Sequence, residues 1–557
     1  MLRIQLLLAM ITPVLVGLPA SAGAAPAATG HAQLVDLFGS WRAFNHPTIV
    51  RGRPDYSAPA MAAKAKQLPE FRSRLAAIDT KGWSASERGD HRYVEAEMNG
   101  LDFFLRVLKP WARDPGFYQT VFAEMSDVPA HEGPSAEPNV DLHDFTYPLS
   151  PADDAKLTEL LGAVPALLGD ARHNLAASQA HDLWAYGDRA FNEQAEVLAN
   201  FEAGKLVMND LGGKRRADLT GASPALLAAI RNARIATEDF ARWVKAEAPK
   251  RTGPSGVGKD NYNWYLKHVL LSPYDFDQQQ VLLQRELDRS LASVRLEEVR
   301  NRALPPVAEI SDPAAYKRMA DAHTEKLYRL LVDGGFIADQ PYYRAALAAQ
   351  TAVYTAPADR NFFTHVTALD PLPLSSHQTH WIELARLRHE PHPSPIRQRP
   401  PLFNNYSDRS EGWATAMEEI VMQAGLYDDL PHGRELVWIM LANRAARGLA
   451  SLRVQANEIG LDEAGKFHAS WTPRGWSDAS SRLVGFEQLL YLRQPGYGPS
   501  YIIGKLDLDH LLALAAHRAD LDKKPFDNRA AFAAILASGI VQPAIIEDEM
   551  AEALSAR

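Results

Sequence analysis

Cysteine is absent from the 557 residues, which excludes disulfides, thiolate nucleophiles and cysteine-based metal sites. Positive charge is not in excess either. Fifty-nine Lys and Arg residues face 68 Asp and Glu residues, and this net charge of −9 argues against a nucleic-acid partner. The composition, 46% hydrophobic and 23% charged, is that of a globular protein rather than a disordered one.

Long apolar runs are missing beyond the N-terminus. There, Arg3 precedes an apolar stretch over residues 4–18, and Ala20-Ser21-Ala22 follows as a small-residue cleavage site. This pattern predicts a secretory signal peptide over residues 1–22, and its apolar part is short for a membrane span. We therefore expect a soluble, periplasmic or secreted protein without a membrane partner after cleavage, an uncleaved anchor being the alternative. Without cysteine near the cleavage site, lipid attachment of the bacterial lipoprotein kind is not expected.

Helical periodicity dominates the rest of the chain, and strand-like alternation is rare. The sequence predicts a mostly all-α protein, a large helical body around a central cleft with few short strands. Its expected organisation is an N-terminal helical region over residues 23–251 and a C-terminal helical region over 252–557 that carries the site. The proline-rich, irregular segment 110–151 is too long for an idle loop and is interpreted as a lid or a pocket wall.

No zinc-peptidase H-E-x-x-H, hydrolase G-x-S-x-G or glycine-rich phosphate loop occurs. The segment 376–388 is predicted to be one helix, on which His377 and His380 lie about 60° apart. Two imidazoles on one face can bind one metal ion or form a coupled acid–base pair. The alternative is a pair of ordinary core histidines.

A second candidate segment is the predicted helix 410–424. Glu411 and Glu418 lie on one stripe of this helix, which suits metal binding or acid–base chemistry. A solvated polar face would give the same pattern. A capping box formed by Asp408 and Glu411 would be equally compatible with the spacing.

Two further segments carry aromatic and polar residues. Tyr262 and Tyr265 are predicted to line a pocket or, alternatively, to belong to an aromatic core. Ser500 is interpreted as the N-cap of a helix on which Tyr501 and Lys505 would face an anion or a carbonyl oxygen. Gly504 lowers the stability of this helix by about 1 kcal/mol relative to alanine, so we expect a close neighbour there.

Several blocks, in this order along the chain, resemble a bacterial family of exported proteins called domain of unknown function 885. They are GKDNYNWYL followed by PY, LEEVRNRALP, EGWA, NRAAR, YIIGK and ASGIVQPAII. Many members are similar to zinc metallopeptidases, distantly like the thermostable carboxypeptidase Taq group. The resemblance implies zinc bound by an H-E-x-x-P-G-H helix together with the glutamate of EGWA, which is Glu411 here.

This chain departs from that motif. Only His380, or His377, can stand for the last histidine of the motif. Residues 374–375, or 371–372, hold Leu-Ser or Pro-Leu in place of its His-Glu pair. Ser451 and Gln455 stand where such members carry Asp and His. The resemblance therefore implies a retained cavity with altered or lost metal chemistry.

The leading hypothesis is an exported hydrolase that resembles the metallopeptidases and cleaves an amide or related bond in a small molecule or short peptide. Its expected catalytic residues are Glu411, Glu418 and His380. Zinc would be held by His377, His380 and Glu411, with Glu418 or Glu383 as the base. The expected substrate-binding residues are Tyr262, Tyr265, Arg444, Arg447, Tyr501 and Lys505, although the arginines could instead form ion pairs.

Two other hypotheses remain open at the level of sequence. One is a metal-independent acid–base enzyme, such as a lyase or an enzyme that cleaves glycosides or esters. The other is a binding protein that has lost catalysis, which the missing His-Glu pair favours.

Overall fold

The computed structural model describes residues 30–50 and 53–555. The predicted signal peptide, residues 1–22, lies outside the described residues. Within the described part, the chain is built mostly of α-helices, which confirms the predicted fold class. No helix in this part is both long enough and apolar enough to span a bilayer.

The N-terminal half contains eight α-helices among the described residues. They are α1 (His31–Asn45), α2 (Ala58–Ala76), α3 (Ala85–Phe103), α4 (Pro110–Arg113), α5 (Pro151–Asn174), α6 (His181–Ala185), α7 (Asp188–Glu202) and α8 (Pro224–Glu247). A π-helical turn, Phe104–Leu108, continues α3.

The helices that follow include those with the candidate site. They are α9 (Lys259–Tyr265), α10 (Phe276–Asn301), α11 (Pro313–Asp333), α12 (Pro341–Ala349), α13 (Phe362–Leu369), α14 (Leu372–His377), α15 (Thr379–His389), α16 (Ser407–Gln423), α17 (Pro431–Gln455), α18 (Leu461–Trp471), α19 (Arg482–Arg493), α20 (Tyr497–Leu521), α21 (Asn528–Ala537) and α22 (Pro543–Ser555). A second π-helical turn, Leu266–Leu270, continues α9.

Strands are short and form three two-stranded sheets in the described residues. Strands β1 (Thr48–Val50) and β2 (Arg53–Asp55) are antiparallel. Strands β3 (Val121–Phe122) and β4 (Val140–Asp141) are parallel, with Val121 opposite Val140. Strands β5 (Val207–Asp210) and β6 (Gly213–Arg216) are antiparallel.

Serine caps explain where several helices begin. Ser84 and Glu87 form a capping box at α3, in which each side chain accepts a hydrogen bond from the backbone N–H of the other. Ser150 and Ser223 cap α5 and α8, each followed by a proline at the first helical position. The serine oxygen accepts a hydrogen bond from a backbone N–H group that has no partner within the helix. Proline has no backbone N–H group, so at the first helical position it leaves none without a partner.

The core joins both halves of the chain. One cluster of buried hydrophobic residues extends in sequence from Leu34 to Met550. Within it, α17 is buried along almost its whole length and packs against α10 and α20. The division of the chain into regions 23–251 and 252–557 stays a prediction.

Helices α16 and α20 approach each other closely at two glycines. A Cβ atom added to Gly504 would lie 1.8 Å from the carbonyl oxygen of Asp408, and one added to Gly412 would lie 2.4 Å from the Cα of Gly504. This confirms the close neighbour that the sequence predicts at Gly504. The contact brings the acidic helix α16 against the tyrosine-bearing start of α20.

Three local predictions are wrong. Ser500 is not an N-cap, because α20 begins at Tyr497. The hydroxyl of Ser500 instead donates to the carbonyl oxygen of Tyr497 inside the helix. Asp408 is not a cap either, because α16 begins at Ser407. Residues 376–388 do not form one helix, because α14 ends at His377 and α15 begins at Thr379.

The segment 110–151 forms a wall of two cavities, with volumes of about 270 Å³ and 450 Å³. Ala130 and His131 line both of them. The interpretation of this segment as a pocket wall is therefore confirmed by its position.

Candidate functional site

Two histidines meet at the junction between α14 and α15. His377 is the last residue of α14, and His380 lies in the first turn of α15. Their ring centroids are 5.0 Å apart and the ring planes are inclined at 76°. His380 is 1% exposed and His377 is 8% exposed. The two rings therefore lie side by side in one buried region.

The acidic stripe of α16 faces the same region. Glu411 and Glu418 are 2% and 0% exposed, so the alternative of a solvated face is wrong. Glu411 Oε2 lies 3.6 Å from His377 Nε2, and Glu418 Oε1 lies 2.9 Å from His377 Nδ1. His377 therefore stands between the two carboxylates, with one ring nitrogen toward each.

Three of these side chains could hold one cation. Among the described residues, donor atoms of His377, His380 and Glu411 lie within 4.8 Å of one another. Both ring nitrogens of His380 and the Oε2 atom of Glu411 are buried without a hydrogen-bond partner in the described structure. Two imidazoles and one carboxylate are a ligand set of catalytic zinc sites, whose donors stand about 3.4 Å apart in a tetrahedral shell. The donor types therefore suit a zinc ion, although donors as far as 4.8 Å apart would have to approach one another by up to about 1.4 Å to bind it.

Arg444 holds Glu418 in place behind His377. Its two terminal nitrogens lie 3.0 Å and 2.6 Å from the two oxygens of Glu418. Glu418 is thus fixed by a bidentate ion pair, with its Oε1 atom 2.9 Å from His377 Nδ1.

The second arginine and two tyrosines close the other side. Arg447 forms an ion pair with buried Glu487, and its guanidinium carbon lies 4.2 Å from the ring centroid of Tyr501. The hydroxyl of Tyr497 donates to Glu411 Oε1 at 2.5 Å. The arginines thus pair with buried carboxylates, which is the alternative that the sequence left open for them.

The sequence did not single out Asp127 and Glu132, which reach the site from the segment 110–151. Asp127 Oδ2 lies 3.3 Å from His380 Nε2, and Ser126 Oγ donates to Glu132 Oε1 at 3.3 Å. The position of that segment as a pocket wall was predictable, whereas nothing in its sequence indicates which acidic residue faces the histidines. Tyr497 was also missed, because the predicted start of its helix lay three residues too late.

Burial and neighbouring charge set the protonation of this cluster. Burial, strengthened by the charges of Asp127 and Glu411, raises the pKa of Glu132 well above its usual value. Burial alone would lower the pKa of His380, but the carboxylates of Asp127 and Glu411 together outweigh it and raise that pKa. Burial would likewise raise the pKa of Glu411, but its contacts with His377 lower it. The arrangement therefore favours a protonated Glu132 beside an ionised Glu411.

Several predicted site residues lie elsewhere. Lys505 is buried among Glu419, Asp509 and Glu286, at 2.9, 3.2 and 3.5 Å, and is a structural ion pair rather than an anion site. Its side chain points to these carboxylates because α20 presents it toward α10 and the far end of α16. Lys505 does not belong to the group of His377, His380, Glu411 and Glu418, which we call the histidine cluster.

Glu383, Tyr262 and Tyr265 are likewise outside the histidine cluster. Glu383 contacts Arg409 at 2.5 Å and Arg386 at 3.4 Å, so it is not placed to act as the base. Tyr262 is fully buried with its ring against Phe276, as the core alternative predicts. Tyr265 lines the 270 Å³ cavity instead, and its hydroxyl donates to a backbone carbonyl oxygen.

The model of a family described as a bacterial protein of unknown function, DUF885, matches residues 51–329, just over half of the chain. The chain belongs to this family. The DUF885 match ends before the junction of α14 and α15, so the histidines and α16 lie outside the matched residues. No curated protein matches the sequence.

Two solved structures share the fold. A "putative lipoprotein" from Colwellia psychrerythraea is 14% identical, with a TM-score of 0.65, and the similarity covers 95% of this chain and 100% of that one. A "putative lipoprotein of unknown function" from Shewanella oneidensis is 13% identical, with a TM-score of 0.65, and covers 94% of this chain and 100% of its own. At such low identity the likeness establishes the fold of this DUF885 protein and nothing about its chemistry.

Proposed function

We propose that this DUF885 protein is a zinc-dependent hydrolase that cleaves an amide bond in a small molecule or short peptide. The observation that carries the proposal is the convergence of His377, His380 and Glu411 in a buried region, with donor atoms left unpaired. A buried polar atom without a partner costs about 1–3 kcal/mol, and more when it is charged. A bound cation would offset this cost at His380 and at Glu411.

The surroundings of His377 support the same reading. In zinc sites, a metal-binding histidine typically directs its other ring nitrogen at a carboxylate, which fixes the orientation of the ring. Glu418, itself held by Arg444, stands at that position, 2.9 Å from His377 Nδ1. His377 Nε2 then remains available on the side of Glu411.

The chain supplies groups for proton transfer where the usual His-Glu pair is missing. Zinc, when bound, polarises a carbonyl group and lowers the pKa of a water molecule. Asp127, beside His380, is placed to accept a proton. Glu132, whose pKa is raised, is suited to hold a proton and give it to the departing amine.

Tyr501 would stabilise negative charge on the substrate oxygen. Its hydroxyl makes no hydrogen bond to any described residue, and the Arg447 guanidinium, itself paired with Glu487, stacks on its ring. A free hydroxyl donor favours an oxygen that becomes anionic during the reaction. In this proposal Tyr501 contacts the substrate, and Arg447 positions the tyrosine ring.

We further propose that the protein acts outside the cytoplasm. The basic residue, apolar stretch and Ala-Ser-Ala site at the N-terminus support export, and both similar structures are described as lipoproteins.

A metal-independent acid–base enzyme is the second candidate. The contact of Asp127 with His380, next to the raised pKa of Glu132, is a proton-transfer set that needs no cation. It predicts activity that a chelator leaves unchanged.

The test measures zinc and activity in the purified full-length chain. We expect one zinc per chain by elemental analysis, and dipeptide hydrolysis that 1,10-phenanthroline abolishes and added zinc restores. Glu411→Gln should lose zinc, and Glu418→Gln should weaken zinc binding about 10- to 100-fold. Glu159→Gln, at an exposed glutamate of α5, is the matched control and should keep zinc.

Three outcomes would contradict the proposal. Hydrolysis that is insensitive to the chelator would favour the acid–base enzyme. Binding of dipeptides without turnover in the zinc-loaded protein would favour a binding protein. Equal zinc binding by Glu411→Gln and the wild type would mean that zinc sits elsewhere.

A further inference from the structure

The cavity of about 450 Å³ has no part in the proposed function, because no residue of the histidine cluster is among the described residues that line it. Its walls come from distant parts of the chain, including the segment 110–151, α15 and the link between α21 and α22. The apolar part of the wall includes Val128, Leu211, Leu384, Leu387 and Ile540. Cavities of about 300–1,000 Å³ with mainly apolar walls and a few polar groups are typical sites for small molecules.

The loop that follows α15 brings positive charge to this cavity. Residues 386–400 contain four arginines and one glutamate, in a chain whose net charge is −9. Three of the arginines, Arg388, Arg397 and Arg399, line the cavity. Among the described residues of its wall, Asp141 is the single carboxylate, and it lies 3.2 Å from His131 Nε2. The cavity wall therefore carries an excess of positive charge.

Two of these arginines have no counter-charge within the part of the chain that the structure describes. Arg397 is buried and contacts Asp90 at 2.6 Å and Glu549 at 2.5 Å, so its charge is already balanced. Arg388 and Arg399 are exposed and form no hydrogen bond or ion pair with another described residue. A guanidinium group can bind a carboxylate or a phosphate through two parallel hydrogen bonds. Both side chains are therefore free to bind an anion that enters the cavity.

We propose that this cavity binds a small amphipathic anion, a carboxylate or a phosphate monoester that carries an apolar chain. The anionic group would bind Arg388 and Arg399, and the chain would lie against the apolar wall. The volume agrees, because a cavity of about 150 Å³ already holds the six carbons of benzene. A cation is disfavoured, because the carboxylate of Asp141 is already paired with His131. The inference goes beyond the proposed function and needs no zinc.

The test measures binding by calorimetry to the full-length chain, treated with chelator so that no probe binds a metal ion. Octanoate and octyl phosphate are the probes, and octylammonium is the charge-reversed comparison. At least one of the two anions should bind at least tenfold more tightly than octylammonium, and the tighter of the two identifies the head group. Burial of each methylene group strengthens binding about fourfold. That anion should therefore bind at least tenfold more tightly than its four-carbon analogue, butanoate or butyl phosphate.

Two variants test the contact with the head group. Arg388→Gln and Arg399→Gln should each weaken binding of the tighter anion at least fivefold, because each removes one guanidinium group from the cavity wall. Arg318→Gln, at an exposed arginine of α11 outside this wall, is the matched control and should bind as the wild type does.

Four outcomes would overturn the inference. They are equal affinity for the anions and octylammonium, equal affinity for the eight-carbon and four-carbon anions, unchanged binding by either arginine variant, and binding to vesicles of phosphatidylglycerol without binding of the free probes. The last result would mean that the arginines contact a membrane surface instead. Zinc-dependent hydrolysis is measured separately, so the loss of either proposal leaves the other standing.

Discussion

Replacing Gly504 with alanine should separate two helices that the structure holds in backbone contact. The added Cβ would lie 1.8 Å from the carbonyl oxygen of Asp408, and it would also lie 2.8 Å from the Cα of Gly412. Carbon–oxygen contacts normally stop at about 3.3 Å, so α16 and α20 would have to move apart by more than about 1 Å. Both contacts are to backbone, so no side chain can rotate out of the way.

The size of the effect follows from two opposing terms. Overpacking a core usually costs about 1–3 kcal/mol, and rigid backbone contacts place this site at the upper end or above it. Alanine in place of glycine stabilises a helix by up to about 1 kcal/mol. We therefore expect Gly504→Ala to lower the free energy of unfolding by about 2–4 kcal/mol. The same separation would lengthen the hydrogen bond between Tyr497 on α20 and Glu411 on α16.

Urea denaturation, followed by circular dichroism, measures this loss as a lower midpoint. Gly162→Ala is the matched control, because Gly162 lies in α5 and an added Cβ would meet nothing within 4 Å. That variant should be more stable than the wild type by about 0.5–1 kcal/mol. If Gly504→Ala were as stable as Gly162→Ala, the close packing of α16 on α20 would be refuted.

Three further predictions concern buried polar groups. Burial, with a contribution from a nearby arginine, lowers the pKa of His468 to about 3. A histidine in the unfolded chain has a pKa of about 6.5, so between about pH 6.5 and pH 3 the unfolded protein binds more protons than the folded one. The free energy of unfolding should therefore fall by about 4 kcal/mol through His468 over this range, and the urea midpoint of His468→Gln should lack that part of the pH dependence. Glu383→Gln should destabilise the protein by about 3 kcal/mol or more, because it leaves the guanidinium of Arg409 buried without its counter-charge, and an unchanged midpoint would contradict the ion pair. Tyr497→Phe should cost about 1.5–3 kcal/mol by removing the hydrogen bond to the Glu411 carboxylate, and a loss below about 0.5 kcal/mol would mean that this bond contributes little.

Local sequence patterns correctly predicted the features that depend on a single helix. The periodicity predicted a helix over residues 410–424, and α16 extends over Ser407–Gln423. The requirement for a close neighbour at Gly504 also followed from the sequence, because a glycine inside a helix lowers its stability unless close packing compensates.

The same patterns were ambiguous wherever tertiary contacts decide burial. A polar stripe such as that of Glu411 and Glu418 looks identical on a solvated helix and on a buried one, because the spacing of residues does not reveal what packs against them. Regular periodicity also predicted one helix through His377 and His380, although α14 ends at His377 and α15 begins at Thr379. Which carboxylates face the two rings depends on how α16 and the segment 110–151 pack against them, and no local pattern signals that packing.

The sequence by itself determined the helical build, the family resemblance and the residue types available for chemistry, because these depend on composition and on neighbours a few positions apart. Only the tertiary structure decided which groups meet. Asp127 reaches His380 from about 250 positions earlier in the chain, and Lys505 turns toward acidic residues of α10 and α16 instead. The physical reason is that contacts between distant segments depend on how whole helices pack, and the order of residues along each helix does not contain that information.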